Sequence, residues 1–280
     1  MKLDPEWIRT LAGATRFRPA ALEKVLRLGS LAADVSRHPY LSKVLALKGG
    51  AALNLCFGPP RRLSVDLDFN YIAALDRSRM LKDRPQVEQA LEELGRRQGY
   101  KVQRSAEEHA GRKIFFSYRS TTGSRDRVEV DLNYLFRLPV NGLSQLSMWQ
   151  PGNADSPRVT VVGIEELCAG KFCALLSRAL PRDLFDVALL PEIAKDVWCT
   201  ERLRKILIAI SAVLHHPLTS YGQERLDRVT DKTIEQQLEP MLTGAAPGAA
   251  ELKARVWSDR LRRHPALRWK VRNARHRRTR

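Results

Sequence analysis

The chain has 280 residues, of which 44% are hydrophobic, a composition that suits one large or two modest globular domains with a real core. Its apolar stretches fall short of the ~20 residues that cross a bilayer, and the N-terminus lacks a signal-peptide pattern, so we expect a cytoplasmic protein without a membrane partner. Its four cysteines form neither a CxxC pair nor a Cys/His cluster, which argues against a zinc site or a disulfide scaffold.

The strongest bulk signal is positive charge. The 48 Lys and Arg residues outnumber the 31 Asp and Glu residues, giving a formal net charge of +17. Such an excess favours polyanionic partners, because each phosphate contact releases condensed counterions. A solvated basic surface explains the charge equally well, so charge alone leaves the partner open.

The predicted elements of the first half alternate between helix and strand. Helical spacing covers residues 5–40, a short apolar run at 44–47 leads into Gly49-Gly50, and one or two helical turns follow at 51–57. The remaining predictions before residue 163 are a strand at 63–70, a charged helix at 79–97, and strands at 101–105, 113–119, 127–136 and 158–162.

From residue 164 onward the pattern is helical. The predicted helices are 164–180, one from 182, 203–215 and 231–242, followed by a Gly/Ala/Pro-rich loop at 243–250. We therefore predict an α+β fold with a mixed α+β half at 1–162, a helical half at 163–250 and a basic extension at 251–280. The extension is either an RNA-binding element or a disordered basic tail.

The strand at 63–70 alternates strictly between apolar and polar residues, which places Ser64, Asp66, Asp68 and Asn70 on one face. Carboxylates at i and i+2 of a strand point the same way and repel each other, and a divalent cation such as Mg²⁺ is the natural compensation. A solvated strand face is the alternative, and for an isolated Asp-x-Asp it is the better interpretation.

The residues around Asp66 and Asp68 favour a catalytic site over a solvated strand face. Gly49-Gly50 lies before a short helix, where backbone N–H groups can approach a triphosphate, although an ordinary tight turn has the same pattern. The polar face of the strand 127–136 offers a third carboxylate. Asp131 is the first choice and Glu129 the second.

Lys171 lies in the apolar stripe of the helix 164–180, where its charge is costly to bury without a partner. The break at Pro181 would let Asp186 fold back toward it, and we hypothesise an ion pair between them. A lysine that extends to solvent at the edge of the core is the alternative. Asp183 is placed to cap the second helix.

Three segments, 47–53, 62–69 and 171–186, resemble the signature of AbiEii/AbiGii-type nucleotidyltransferase toxins, a family of the DNA polymerase β-like nucleotidyltransferase superfamily. The resemblance covers roughly residues 40–190. It implies a nucleotidyltransferase-type mixed β-sheet with flanking helices, followed by a helical C-terminal half that completes the active site.

The resemblance also implies roles for individual residues. Asp66 and Asp68 match the metal-binding pair, and the strand pattern, not the resemblance, offers Asp131 or else Glu129 as the third ligand. Lys171 matches the lysine that contacts the nucleotide triphosphate, and Asp186 matches a downstream catalytic aspartate.

Four further residues are expected at the nucleotide. Arg62 matches a position that is usually basic, and Ser64 matches a hydroxyl position that antitoxins phosphorylate in some members. Gly49 and Gly50 stand where the wider superfamily often has Gly-Ser, which removes one hydroxyl contact to phosphate and keeps the backbone donors.

The function implied is that of a toxin in a toxin–antitoxin pair. It would use Mg²⁺ or Mn²⁺ to transfer NMP from an NTP to tRNA 3′ ends, and its partner would be an AbiEi-type antitoxin. One alternative is a nucleotidyltransferase that modifies a small molecule or a protein. The other is a non-catalytic RNA-binding protein on the same scaffold.

Overall fold

The computed structural model describes residues 3–198 and 200–257, which form two compact units. The first comprises the described residues up to Gly163 together with Met241–Gly244, and the second comprises Ile164–Pro240 and the described residues from Ala245 onward. The division falls one residue after the predicted boundary, and Met241–Gly244 packs with the first unit although the prediction assigned it to the helical half. No described helix is both long and apolar enough to cross a membrane.

The described part of the first unit holds five helices and seven strands. In chain order they are α1 (Pro5–Thr15), α2 (Pro19–Arg37), α3 (Leu41–Val44), β1 (Leu45–Lys48), α4 (Gly49–Cys56), β2 (Asp66–Tyr71), α5 (Arg77–Arg97), β3 (Lys101–Arg104), β4 (Gly111–Arg119), β5 (Arg125–Asn133), β6 (Leu143–Ser147) and β7 (Arg158–Val162). The predicted α+β class with a mixed sheet is confirmed.

The seven strands form one sheet in the order β3-β4-β5-β2-β1-β7-β6. The neighbours β2 and β5 are parallel, as are β1 and β7, whereas the other neighbouring pairs are antiparallel. Because β2 has β1 on one side and β5 on the other, its backbone is hydrogen-bonded along both edges.

The two faces of the sheet differ sharply in chemistry. On the apolar face of β4 and β5, Ile114, Phe116, Val128 and Val130 are buried. The helix α5 packs on this side so closely that a Cβ at Gly95 would overlap the Phe116 ring. The opposite, polar face carries the alternate residues of β2, β4 and β5, including the predicted carboxylates.

Three predictions for the first unit are wrong in detail. The helix expected over 5–40 is interrupted, because Arg16 takes a left-handed conformation (φ 63°) and α2 starts afresh at Pro19. The strand expected from residue 63 begins at Asp66, since Leu63 precedes it in an irregular segment and donates its N–H to the carbonyl of Met241 at 2.8 Å. The edge strand β6 was not predicted.

The second unit is helical as predicted. Its described helices are α6 (Ile164–Arg178), α7 (Pro181–Ile193), α8 (Glu201–Ile210), α9 (Asp231–Gln237) and α10 (Ala249–Trp257). The helices expected over 203–215 and 231–242 are shorter, and α10 begins inside the expected loop at 243–250. The prediction for 251–280 lies outside the described residues beyond Trp257.

Candidate active site

The turn between β1 and α4 requires glycine for two reasons. Gly49 has a φ of +68°, and a Cβ built on it would lie 2.7 Å from Asp68 Cγ and 3.0 Å from Asp68 Cβ. Lys48, at the N-cap position of α4, gives no side-chain cap, so the first N–H groups of this helix are not capped in that way. The predicted phosphate-binding turn and the predicted metal ligand Asp68 are therefore in direct contact.

The predicted carboxylates lie side by side on the polar face of two parallel strands. In the register of β2 and β5, Asp66 is opposite Glu129 and Asp68 is opposite Asp131. Neighbouring strands are about 4.8 Å apart, so four acidic side chains share a small area of the sheet. Such a concentration of like charge is unfavourable unless a cation compensates it.

Lys113, which the sequence analysis did not single out, supplies part of that compensation. It lies on β4 opposite Asp131, forms an ion pair with Glu129 and places its Nζ 3.8 Å from Asp131 Oδ2. Burial lowers the pKa of Lys113, but the hydrogen bond to Glu129 and the charges of Glu129, Asp131 and Asp66 outweigh burial, so that the pKa is raised.

Asp131 remains under-compensated despite this lysine. Burial, followed by the charge of Asp68, raises the pKa of Asp131 to about 6, against the opposing effects of Lys113 and Lys48. A further cation at this face would therefore be favourable. The donor chemistry fits Mg²⁺ or Mn²⁺, for which carboxylate oxygens are suitable ligands.

The three predicted metal ligands do not form a closed cluster. Within residues 3–198 and 200–257, no group of three His, Cys, Asp or Glu side chains is close enough together to hold a metal ion unaided. The side chains of Asp66, Asp68 and Asp131 stand on two strands, and Lys113 lies beside Asp131. Magnesium in phosphoryl-transfer sites is commonly held by one or two carboxylates plus substrate phosphates, which needs no such cluster.

Arg62 and Ser64 lie before β2 and not on its polar face, which corrects the predicted position of Ser64. Both side chains are buried, with Arg62 2% and Ser64 6% exposed. The Nη1 of Arg62 donates to the carbonyl of Leu63 at 2.9 Å, so this guanidinium supports the segment that leads into the strand. A nucleotide contact by either residue stays a prediction.

The ion pair hypothesised between Lys171 and Asp186 is confirmed. The distance from Lys171 Nζ to Asp186 Oδ2 is 2.7 Å, and the two side chains are 9% and 0% exposed. The chain reverses at Ala179, whose φ is 50°, before α7 begins at Pro181. The lysine that extends to solvent, considered as the alternative, is excluded by this burial.

The predicted cap by Asp183 is wrong. The N-cap of α7 is Leu180, which gives no side-chain cap, and Asp183 instead accepts two hydrogen bonds from Arg178, at 2.7 and 2.9 Å. The arginine was missed because it ends α6, where a basic residue also has an ordinary role next to free carbonyl groups.

The fold and the carboxylate-bearing sheet define a nucleotidyltransferase-type protein. The structure is similar to that of MenT4, the nucleotidyltransferase toxin Rv2826c from Mycobacterium tuberculosis H37Rv, with a TM-score of 0.67 and 21% identity, over 99% of this chain and 96% of that chain. The family model described as "Nucleotidyl transferase AbiEii toxin, Type IV TA system" matches residues 31–273. The chain therefore belongs to the AbiEii family of nucleotidyltransferase toxins. No curated protein matches it significantly.

Membership confirms the resemblance and the enzyme class inferred from the sequence. It also places the chain in a type IV toxin–antitoxin system, which implies an antitoxin partner. An NTP substrate and a divalent metal are general for nucleotidyltransferases of this kind.

Proposed function

We propose that this chain transfers NMP from an NTP to the 3′-terminal hydroxyl of tRNA, in a reaction that depends on Mg²⁺ or Mn²⁺. One observation carries the proposal: Asp68 packs against the Gly49 turn on one side and stands opposite Asp131 on the other. That arrangement joins a turn suited to phosphate with carboxylates suited to a divalent cation.

Asp66 and Asp68 would hold the metal together with the substrate phosphates, and Asp131 is the preferred third ligand. Glu129 is less suitable because Lys113 already engages its carboxylate. When bound, the cation would neutralise charge that develops on the leaving pyrophosphate and favour attack by the hydroxyl oxygen.

The remaining residues of the proposal bind and orient the triphosphate of the NTP. The backbone N–H groups of Gly49 and Gly50 donate to the triphosphate at the start of α4. Lys171 contributes positive charge to the triphosphate, and Asp186 fixes its ammonium group through the buried ion pair.

The chemical step is a single displacement. The 3′-oxygen forms a bond to the α-phosphorus, the bond from that phosphorus to the oxygen bridging to the β-phosphate breaks, and pyrophosphate leaves. The hydroxyl proton would pass to a carboxylate of the polar face, and Asp131 and Glu129 are the two candidates.

The test is incubation of the purified chain with each α-labelled NTP in turn, together with total tRNA, periodate-oxidised tRNA or a panel of small hydroxyl acceptors. We expect label on intact tRNA only, lost on chelation of divalent metal and restored by Mg²⁺ or Mn²⁺. Label on a small acceptor but not on tRNA would favour the first alternative.

Variants separate catalysis from RNA binding. Asp66→Asn and Asp68→Asn should abolish transfer, whereas Asp155→Asn, at an exposed aspartate outside this face, should leave it unchanged. Transfer that survives Asp66→Asn would refute the assigned site. Binding of tRNA without transfer from any NTP would favour a non-catalytic RNA-binding protein.

A further inference from the structure

The charge on the polar face of the sheet changes from negative to positive next to the carboxylates. Two residue rows lie there: Arg127, Ser117 and Lys101 form one row across β5, β4 and β3, and Arg125 and Arg119 form the next row, across β5 and β4. Four cations thus stand on the same face as Asp66 and Asp131. We call Lys101, Arg119, Arg125 and Arg127 the basic strip.

The strip lies close to the acidic rows. The row that contains Arg127 is two residues along β5 from Glu129, and the row that contains Arg125 is two residues further. At about 3.3 Å per residue, the cations begin about 7 Å from the Glu129 row and extend to about 13 Å from it.

The charge of the strip is available to a ligand. All four side chains are exposed, and within the part of the chain that the structure describes none of them forms an ion pair. The nearby acids have other partners: Glu129 is paired with Lys113, and Asp126, on the apolar side of β5, is paired with Lys24 at 2.9 Å.

The strip also has a shape and an aromatic component. Its four residues line a groove of about 920 Å³ at the β3 side of the sheet, together with Gln103, Ser117, Tyr118 and Asp126, whose carboxylate is paired with Lys24. Phe115 lies in the same row as Glu129, next to the strip, with the Arg127 guanidinium 4.5 Å from its ring centroid. Cations interleaved with an aromatic ring are typical of surfaces that bind single-stranded nucleic acid.

A simpler explanation is that charge on an exposed sheet prevents aggregation. A lysine on an edge strand, such as Lys101 on β3, discourages pairing with another sheet. That role does not account for Arg125 and Arg127, because β5 is the third strand from the edge and is paired on both sides. The explanation also gives no reason for the groove or for the change of sign beside the carboxylates.

We propose that the basic strip binds the phosphates of the single-stranded 3′ end of an acceptor RNA and leads its terminal hydroxyl to the carboxylates of the polar face. This inference rests on the proposed function and adds the place where the RNA lies. The terminal nucleotide would occupy the Asp66 and Glu129 row, its base near Phe115, and the preceding phosphates would follow the Arg127 and Arg125 rows.

The experiment measures binding of total tRNA to the full chain between 50 and 200 mM salt. The strip variant carries Lys101→Gln, Arg119→Gln, Arg125→Gln and Arg127→Gln. The matched control removes the same charge at exposed sites off this face that form no ion pair with any described residue, with Lys43→Gln, Arg77→Gln, Lys82→Gln and Arg97→Gln.

Each phosphate contact to a single strand contributes about 0.7 to the slope of log Kobs against log salt, so four lost contacts lower the slope by about 3. The same relation predicts about a hundredfold weaker binding at 0.15 M salt. The control should change both quantities little. In transfer assays the strip variant should raise KM for tRNA and leave KM for the NTP unchanged.

Failure of this inference is distinguishable from failure of the proposed function. The Asp66→Asn variant retains the strip and should still bind tRNA, with the salt slope of the unmodified chain, but without transfer. If the chain transfers no nucleotide but the strip variant alone loses tRNA affinity, RNA binding by the strip is supported and the proposed function is refuted. The proposal that the strip binds RNA would be refuted by any of three results: equal tRNA binding by the strip and control variants, an unchanged salt slope, or a raised KM for the NTP.

Discussion

Replacement of Gly49 by alanine tests how closely the glycine turn and Asp68 are coupled. The substitution has two consequences. The left-handed backbone (φ +68°) disfavours any residue with a Cβ, at a cost of about 1–2 kcal/mol in stability. The new methyl group would also lie 2.7 Å from Asp68 Cγ and closer still to Oδ2.

The second consequence determines activity. Ordinary carbon contacts are 3.4–4 Å, so the Asp68 carboxylate must move by roughly 1 Å. The carboxylate can turn away by rotation about the Cα–Cβ bond. Asp68 Cβ, 3.0 Å from the new methyl group, cannot, so a small backbone shift adds to the loss of stability. A displacement of that size in a reacting centre lowers rates by about a hundredfold, and we expect transfer to fall by that factor.

The matched control is Gly58→Ala. Gly58 has a φ of +93°, and a Cβ there would have no neighbour within 4 Å, so it carries the backbone cost alone. Urea unfolding should show a loss of stability in both variants, the larger one in Gly49→Ala, whereas transfer of label from an NTP should fall only in Gly49→Ala. Equal transfer by both variants would refute the idea that Gly49 makes room for a working Asp68.

Four further substitutions test the packing. Asp186→Leu should lower the free energy of unfolding by about 3–5 kcal/mol, because it leaves the buried ammonium of Lys171 unpaired. The double variant with Lys171→Met should regain most of that stability, measured by urea unfolding. It should still transfer no nucleotide. Failure of the double variant to recover would show that the pair is not replaceable by apolar packing. Gly95→Ala should destabilise by about 1–3 kcal/mol because its methyl group overlaps the Phe116 ring. Gly13→Ala, in an open helical position, should stabilise the protein by about 0.4–1 kcal/mol. If Gly95→Ala and Gly13→Ala changed the free energy of unfolding in the same direction, the close approach of α5 to the sheet would be contradicted.

The sequence predicted those features that depend on one element alone. Alternation along a single strand is enough to put Asp66 and Asp68 on one face, whatever the strand pairs with. The cost of burying a charge is equally local: Lys171 in an apolar stripe requires a counter-charge, and the turn at Pro181 leaves Asp186 within reach. Both features are present in the structure.

Features that depend on pairing between strands could not be predicted from the sequence. Nothing in the alternation of β4 or β5 fixes their register, so the position of Lys113 beside Glu129 and Asp131 had no signal. The strand β6 lies at the sheet edge, is mostly exposed and therefore lacks apolar alternation. The alternation that suggested an earlier start for β2 included Leu63, which is buried although its N–H bonds to the carbonyl of Met241 and not to a neighbouring strand.

The position of each charge within the sheet matches the precision that its proposed role demands. Asp66, Asp68 and Asp131 stand on β2 and β5, which are hydrogen-bonded to neighbours on both edges, so their backbone cannot shift without breaking two ladders. A transfer step needs that rigidity, because an error of about 1 Å costs about a hundredfold in rate. Phosphate binding by flexible cations tolerates larger errors, since it is mainly a matter of charge. It is therefore consistent that the strip extends from β5 to the edge strand β3, where positional control is weakest and an RNA strand can enter.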